Sequence, residues 1–379
     1  MKIKRQGNYE LLRTILMFMV LFWHVIINIV FYHNTSESGK IFWTFLHFLL
    51  EIHIDTFILL TGYFQCKKEK IGIRKLIKLN NQAYFYKIIF LVIFLFFSLI
   101  KLTKVEIFWI AQPITLYNQY WYICIYMLLY ICSPFLNRLL ANLNKKEHRY
   151  LILALFIMSA IIPVMTNEMY FNNNRGFSLL NFILLYCIGS YLRIYPISES
   201  YIFSKLTSNA RKITFLSLYF VLAILNLLIY YFNFTLAETG NELLNDFASI
   251  INNMKIAYNN PILILESIFF FLYFGEVKIN SRIIDFLSAR TLDVYLIHDN
   301  YLLRRVIYNQ IHKYLGPNPL GLKFLILSFI SSIMIFIFCI IIGLIREKIF
   351  ILFNKIPIVR KRKVRLKEKI NSLGFSITW

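Results

Sequence analysis

Apolar runs recur along the whole chain, each closed by a short polar or basic interval. A helix needs about 20 mostly apolar residues to cross the hydrocarbon core of a bilayer. By that measure the pattern predicts about ten spans, at 8–31, 41–64, 82–101, 119–141, 150–166, 177–193, 213–233, 261–276, 288–309 and 323–345. Basic residues gather in alternate intervals: Lys67 to Lys70 with Arg74, Lys75 and Lys78; Lys145, Lys146 and Arg149; Arg211 and Lys212; Lys278 and Arg282; and Arg360 to Arg365 with Lys367 and Lys369. The others, His33–Gly39, the interval of little net charge between the third and fourth spans, Asn172–Gly176, 234–258 with Glu238, Glu242 and Asp246, and Gly316–Pro319, are not basic clusters. Lys and Arg concentrate in cytoplasmic loops. The expected architecture is therefore an all-α, polytopic transmembrane bundle with both termini cytoplasmic. A transmembrane domain fills 1–345, and 346–379 forms a basic cytoplasmic tail suited to anionic lipid.

Composition agrees with the pattern. The 379 residues are 59% hydrophobic and 18% aromatic, with mean hydropathy +0.61, which excludes a large soluble domain. A formal charge of +22 would point to nucleic acid in a soluble protein, but here it resides in alternate loops and marks topology, so no nucleic-acid partner is expected. The basic start, Met1 to Arg5, runs into a full-length span without a small-residue cleavage site, so the first span is expected to be retained in the cell membrane. The five cysteines, Cys66, Cys124, Cys132, Cys187 and Cys339, sit in or at the ends of apolar runs without ligand spacing and read as buried apolar residues. No metal is expected.

Ionisable residues inside these runs are the candidates for chemistry, because a charge in a membrane helix is costly and is retained for a reason. The first span carries Glu10, Arg13 and His24. Eleven positions at 100° each bring His24 back to within about 20° of Arg13, roughly 16 Å further along the helix, and Glu10 shares that face. The stripe reads either as a polar path or as a headgroup ion pair plus a helix-to-helix hydrogen bond. The second span holds His47, Glu51, His53 and Asp55, with Glu51 and Asp55 one turn apart on one face and His47 a turn earlier. Gly62 reads as a close-packing position. Tyr120, Trp121 and Tyr122 open the fourth span in the manner of an interfacial aromatic belt, and the ninth contains His298 followed by Asp299.

Arg13 and His24 with ten residues between them, Asp55 and Phe57 with Thr61-Gly62-Tyr63-Phe64, Trp121 with Tyr130 and Pro134, and Tyr295 to His298 together resemble the acyltransferase 3 family. The resemblance covers nearly the whole chain in the correct order, with Thr61 standing where the family usually has Ser. It implies an integral membrane O-acyltransferase, most simply an O-acetyltransferase acting on a hydroxyl of a cell-surface or capsular polysaccharide.

On that reading cytoplasmic acetyl-CoA, or another acyl-CoA, is the donor, and the partners are a surface or lipid-linked glycan and the bilayer. Arg13 would hold the CoA phosphates or thioester region, with Arg74 and Lys75 on the inner loop as further contacts. His24 would be the general base toward a sugar hydroxyl or, alternatively, a transient acyl carrier. Glu10 would orient Arg13, while Asp55 or His298 would orient the acceptor or stabilise charge on His24. A glycan flippase or a polysaccharide polymerase is the competing expectation.

Overall fold

The computed structural model describes residues 6–30, 37–70, 72–99, 101–112, 120–166, 173–237, 248, 250, 254, 257–315 and 322–357. Met1–Arg5, Glu238, Glu242, Asp246, Gly316–Pro319 and the basic run from Arg360 onward lie outside them. The described residues are helical with connecting turns and contain no strand. The helices are α1 Gly7–Val30, α2 Glu37–Glu51, α3 His53–Gln65, α4 Ile73–Phe96, α5 Lys104–Ala111, α6 Trp121–Ala141, α7 Lys145–Phe156, α8 Ile162–Met165, α9 Leu179–Ile194, α10 Ser208–Ala237, α11 Pro261–Glu276, α12 Arg282–Ser288, α13 Thr291–His298, α14 Tyr301–Leu315 and α15 Leu322–Lys355.

Seven of the described stretches are long and apolar enough to cross a membrane: Gly7–Asn28, Ile41–Gln65, Ile73–Phe96, Trp121–Ala141, Lys145–Met165, Ser208–Phe232 and Leu322–Phe353. The other three expected spans differ. Helices α9 and α11 have 16 residues each, about 24 Å at 1.5 Å per residue, short of a hydrocarbon core of about 30 Å. The expected continuous span at 288–309 is instead two helices. The Leu296 carbonyl accepts from the Tyr120 hydroxyl at 2.6 Å, and the Asn300 side chain accepts from the Leu302 and Leu303 amides at 3.1 and 3.4 Å. One helix thus loses its next rung while an Asn cap begins another. Helix α15 runs through the expected domain boundary at 345 and on to Lys355.

Local sequence explains most helix ends. Thr103 with Glu106 and Asn144 with Glu147 form reciprocal capping boxes at α5 and α7, and Asn260 followed by Pro261 starts α11. The Glu106 carboxyl is held below its ordinary range, first by the Thr103 backbone amide and then by the Tyr301 hydroxyl. Pro134 inside α6 cannot donate to the Tyr130 carbonyl, and the Ser133 hydroxyl does so at 2.8 Å.

The chain divides into two compact units, one of residues 1–67 with 135–288 and one of 68–134 with 289–379. In the first, α1, α2, α3, α9, α10, α11 and α12 pack together around buried Leu12, Leu16, Leu59, Phe182, Phe215 and Leu263. Helices α3 and α9 touch backbone to backbone: a Cβ on Gly62 would stand 2.2 Å from the Tyr186 carbonyl oxygen, and one on Gly189 2.2 Å from that of Leu59. Close packing is thus the role of Gly62. In the second unit, Leu91, Phe94, Ile110 and Leu302 form an apolar cluster. There the buried Asp293 carboxylate accepts from Gln82 and Tyr86 at 2.7 Å each and from Arg346 at 3.0 Å.

Candidate functional site

Helix α1 is continuous from Glu10 to His24 and lies in the first unit. Glu10 is buried; its Oε1 accepts from Arg13 Nη1 at 2.9 Å, and its Oε2 accepts from the Ser288 hydroxyl. Glu10 therefore ties α1 to α12 and anchors Arg13, whose side chain keeps 34% exposure. The Arg13 guanidinium lies 5.5 Å from the centre of the Phe64 ring at the end of α3. His24, half-buried on α1, has its ring centroid 5.4 Å from that of Trp23.

Trp23 is a hub for three histidines. Its ring also lies 5.6 Å from His47 and 6.0 Å from His53, and its indole nitrogen donates to His47 Nδ1 at 2.7 Å. An indole N–H can only donate, so Nδ1 of His47 is the accepting nitrogen and the hydrogen sits on Nε2, 2.9 Å from Glu51 Oε2. The α2 face expected to join His47 and Glu51 thus carries a bonded pair. His53, in turn, donates through Nδ1 to the Glu51 carbonyl at 2.8 Å, since a carbonyl only accepts. This bond marks the break between α2 and α3 at Ile52.

Three carboxyls, Glu51, Asp55 and Glu266, are buried on α2, α3 and α11. Glu266 Oε1 accepts from Asn226 at 2.6 Å, and Asn226 accepts from Asn260 at 3.0 Å. Glu51 is close enough to act electrostatically on both Asp55 and Glu266. Glu51 Oε1, Glu266 Oε2 and both oxygens of Asp55 receive no hydrogen bond from any described residue. Asp55 is therefore not hydrogen-bonded to the His24 ring. Among the described residues no group of three or more His, Cys, Asp or Glu is disposed to hold a metal ion.

The remaining sequence candidates belong to the second unit. Arg74 is exposed on α4. Lys75 donates to the Tyr126 hydroxyl at 2.7 Å and lies 4.4 Å from the centre of the Tyr130 ring. The rings of Tyr122, Tyr126 and Tyr130 stack in turn along α6 at 5.9 and 6.4 Å. His298 is buried and donates through Nδ1 to the Val294 carbonyl at 2.6 Å.

Trp23, Glu266 and Arg193 are not among the candidates named from the sequence. Glu266 had a usable signal, a carboxylate inside an apolar run. Trp23 had none beyond its place beside His24, and Arg193 resembles any basic residue that closes a span. A family model described as an acyltransferase domain matches residues 7–344. No curated protein and no solved structure gives a significant match.

Proposed function

Because the chain belongs to the acyltransferase 3 family and is a multi-pass membrane acyltransferase, we propose that it moves an acetyl group from cytoplasmic acetyl-CoA to a hydroxyl of a cell-surface or capsular polysaccharide. The observation that carries this reading is the α1 stripe: an anchored, partly exposed guanidinium at Arg13 and an imidazole at His24, with roughly 16 Å of helix between them. The charge pattern supports an orientation with Arg13 toward the cytoplasm, where a polyanionic donor arrives, and His24 deeper in the membrane.

A flexible pantetheine arm bridges such a separation. Arg13 binds the donor's phosphate end, which leaves the thioester free to reach His24. His24 accepts the proton of the acceptor hydroxyl as its oxygen attacks the thioester carbonyl; the C–S bond breaks, and CoA leaves as the thiolate, which takes up a proton. In the acyl-carrier version His24 itself attacks, CoA leaves, and the acceptor oxygen then displaces the imidazole. Membership of this family favours an acyltransferase over an exporter or a polymerase.

The test is transfer of label from radiolabelled acetyl-CoA into extractable glycan by membranes containing wild-type protein or His24→Ala. The expected result is label with wild type and a loss of about 100-fold or more with His24→Ala. Near-normal transfer by a correctly inserted His24→Ala protein overturns the role of His24. Arg13→Lys is expected to weaken acetyl-CoA use and leave glycan binding unchanged.

A further inference from the structure

Two guanidinium groups converge on the end of α3. Arg13 lies 5.5 Å from the centre of the Phe64 ring. Arg193, from the last turn of α9, lies 4.9 Å from the centre of the adjacent Tyr63 ring and donates through Nη1 to its hydroxyl at 3.2 Å. The Tyr9 ring stands 5.1 Å from Tyr63 and 5.2 Å from Phe64, so the three rings form one aromatic cluster between the two arginines. Lys67 and Arg193 both act electrostatically on Cys66, which adds a third cation to the same end of the helix.

The two arginines differ in what offsets their charge. Arg13 is bonded to Glu10. Arg193 makes no ion pair with a described carboxylate and rests on a phenol. A half-buried guanidinium without a carboxylate retains its full demand for an anion, and its planar fork suits phosphate. Its position is enforced. Gly62 packs on the Tyr186 backbone one residue before Tyr63, and Gly189 on the Leu59 backbone one turn before Arg193, so these contacts set the register that brings that ring and that cation together.

We infer that Arg193 is a second donor-binding residue, holding the phosphorylated nucleotide end of CoA over the partly exposed Tyr63 and Phe64 rings, which the buried Tyr9 ring backs. This rests on the acyl-CoA donor proposed above. Rings and guanidinium groups together match an adenine nucleotide with several phosphates, whereas the pantetheine arm has no phosphate for Arg193 to hold.

The experiment is titration calorimetry on the full-length protein in detergent, with CoA and with pantetheine as the probes. Wild type is expected to bind CoA, Arg193→Gln to bind it about 10- to 100-fold more weakly, the scale of one lost charge-assisted hydrogen bond, and Arg193→Lys to fall between them. All three are expected to bind pantetheine alike and to unfold at similar temperatures. Equal CoA affinity in wild type and Arg193→Gln overturns the inference and leaves the donor reading standing. Parallel loss of CoA and pantetheine binding in Arg193→Gln and Arg193→Lys shows that Arg193 only packs Tyr63. Failure of wild type itself to bind CoA removes the donor reading and this inference with it.

Discussion

Asp55 is the residue whose surroundings make least sense as packing. Its side chain has 0% exposure, and neither oxygen receives a hydrogen bond from a described residue. Burying a polar group without a partner costs free energy, and replacing it with a neutral isostere breaks no bond. Asp55→Asn is therefore expected to leave the unfolding temperature unchanged or raised while lowering acetyl transfer by at least about tenfold, a pattern of stability sacrificed for activity. Full transfer by a stable Asp55→Asn protein would return Asp55 to an incidental role. His47 is the opposite case, since both ring nitrogens are bonded, one to Trp23 and one to Glu51. It holds Trp23 in place beside His24, and neither nitrogen is left over for a substrate proton.

At the scale of helices, contacts between elements decide where the site residues end up. The reciprocal glycine contact of α3 and α9 admits no side chain. Gly189→Ala would set a methyl 2.2 Å from the Leu59 carbonyl oxygen, and overpacking of this kind costs about 1–3 kcal/mol. Thermal unfolding in detergent should show that loss, and CoA binding should fall with it, because Arg193 rides on the same helix. An unaltered unfolding temperature would mean that the helices part without penalty. The separation of α13 from α14 shows the same dependence on neighbours. Asn300 is a good helix cap by its nature, but the Tyr120 hydroxyl on Leu296 comes from a residue 176 positions away in the chain, and no local pattern announces it.

In the second unit as a whole, a buried charge ties together elements far apart in the chain. Asp293 gathers Gln82, Tyr86 and Arg346 onto one carboxylate. Removing one side of a buried pair costs about 3–5 kcal/mol, and removing both for apolar residues costs far less. Asp293→Asn is expected to unfold well below wild type, whereas Asp293→Leu with Arg346→Met should recover much of the difference; equal unfolding of all three would show that the pair contributes nothing. The proposed orientation is tested at this scale as well. A cysteine placed at Glu69 in a cysteine-free background, in the basic interval after α3, should react with a membrane-impermeant thiol reagent only from the cytoplasmic side. Labelling from outside intact cells would invert the topology and remove Arg13 from the reach of acetyl-CoA.

The sequence by itself determined that this is an all-helical membrane protein, located the seven long apolar helices among the described residues, and put Arg13 and His24 on one face of α1. All of these follow from apolar run length and helical periodicity, which act within a single element. His47 and Glu51 were legible on one face for the same reason. Tertiary structure alone decided that three histidine rings surround Trp23, that Arg193 meets Tyr63, that Glu266 joins Glu51 and Asp55 in a buried set, and that the segment 288–309 is two helices. Each of these depends on which helix packs beside which. In a bilayer that choice rests on small residues and interhelical hydrogen bonds between positions far apart in the chain, because every apolar face looks alike to lipid.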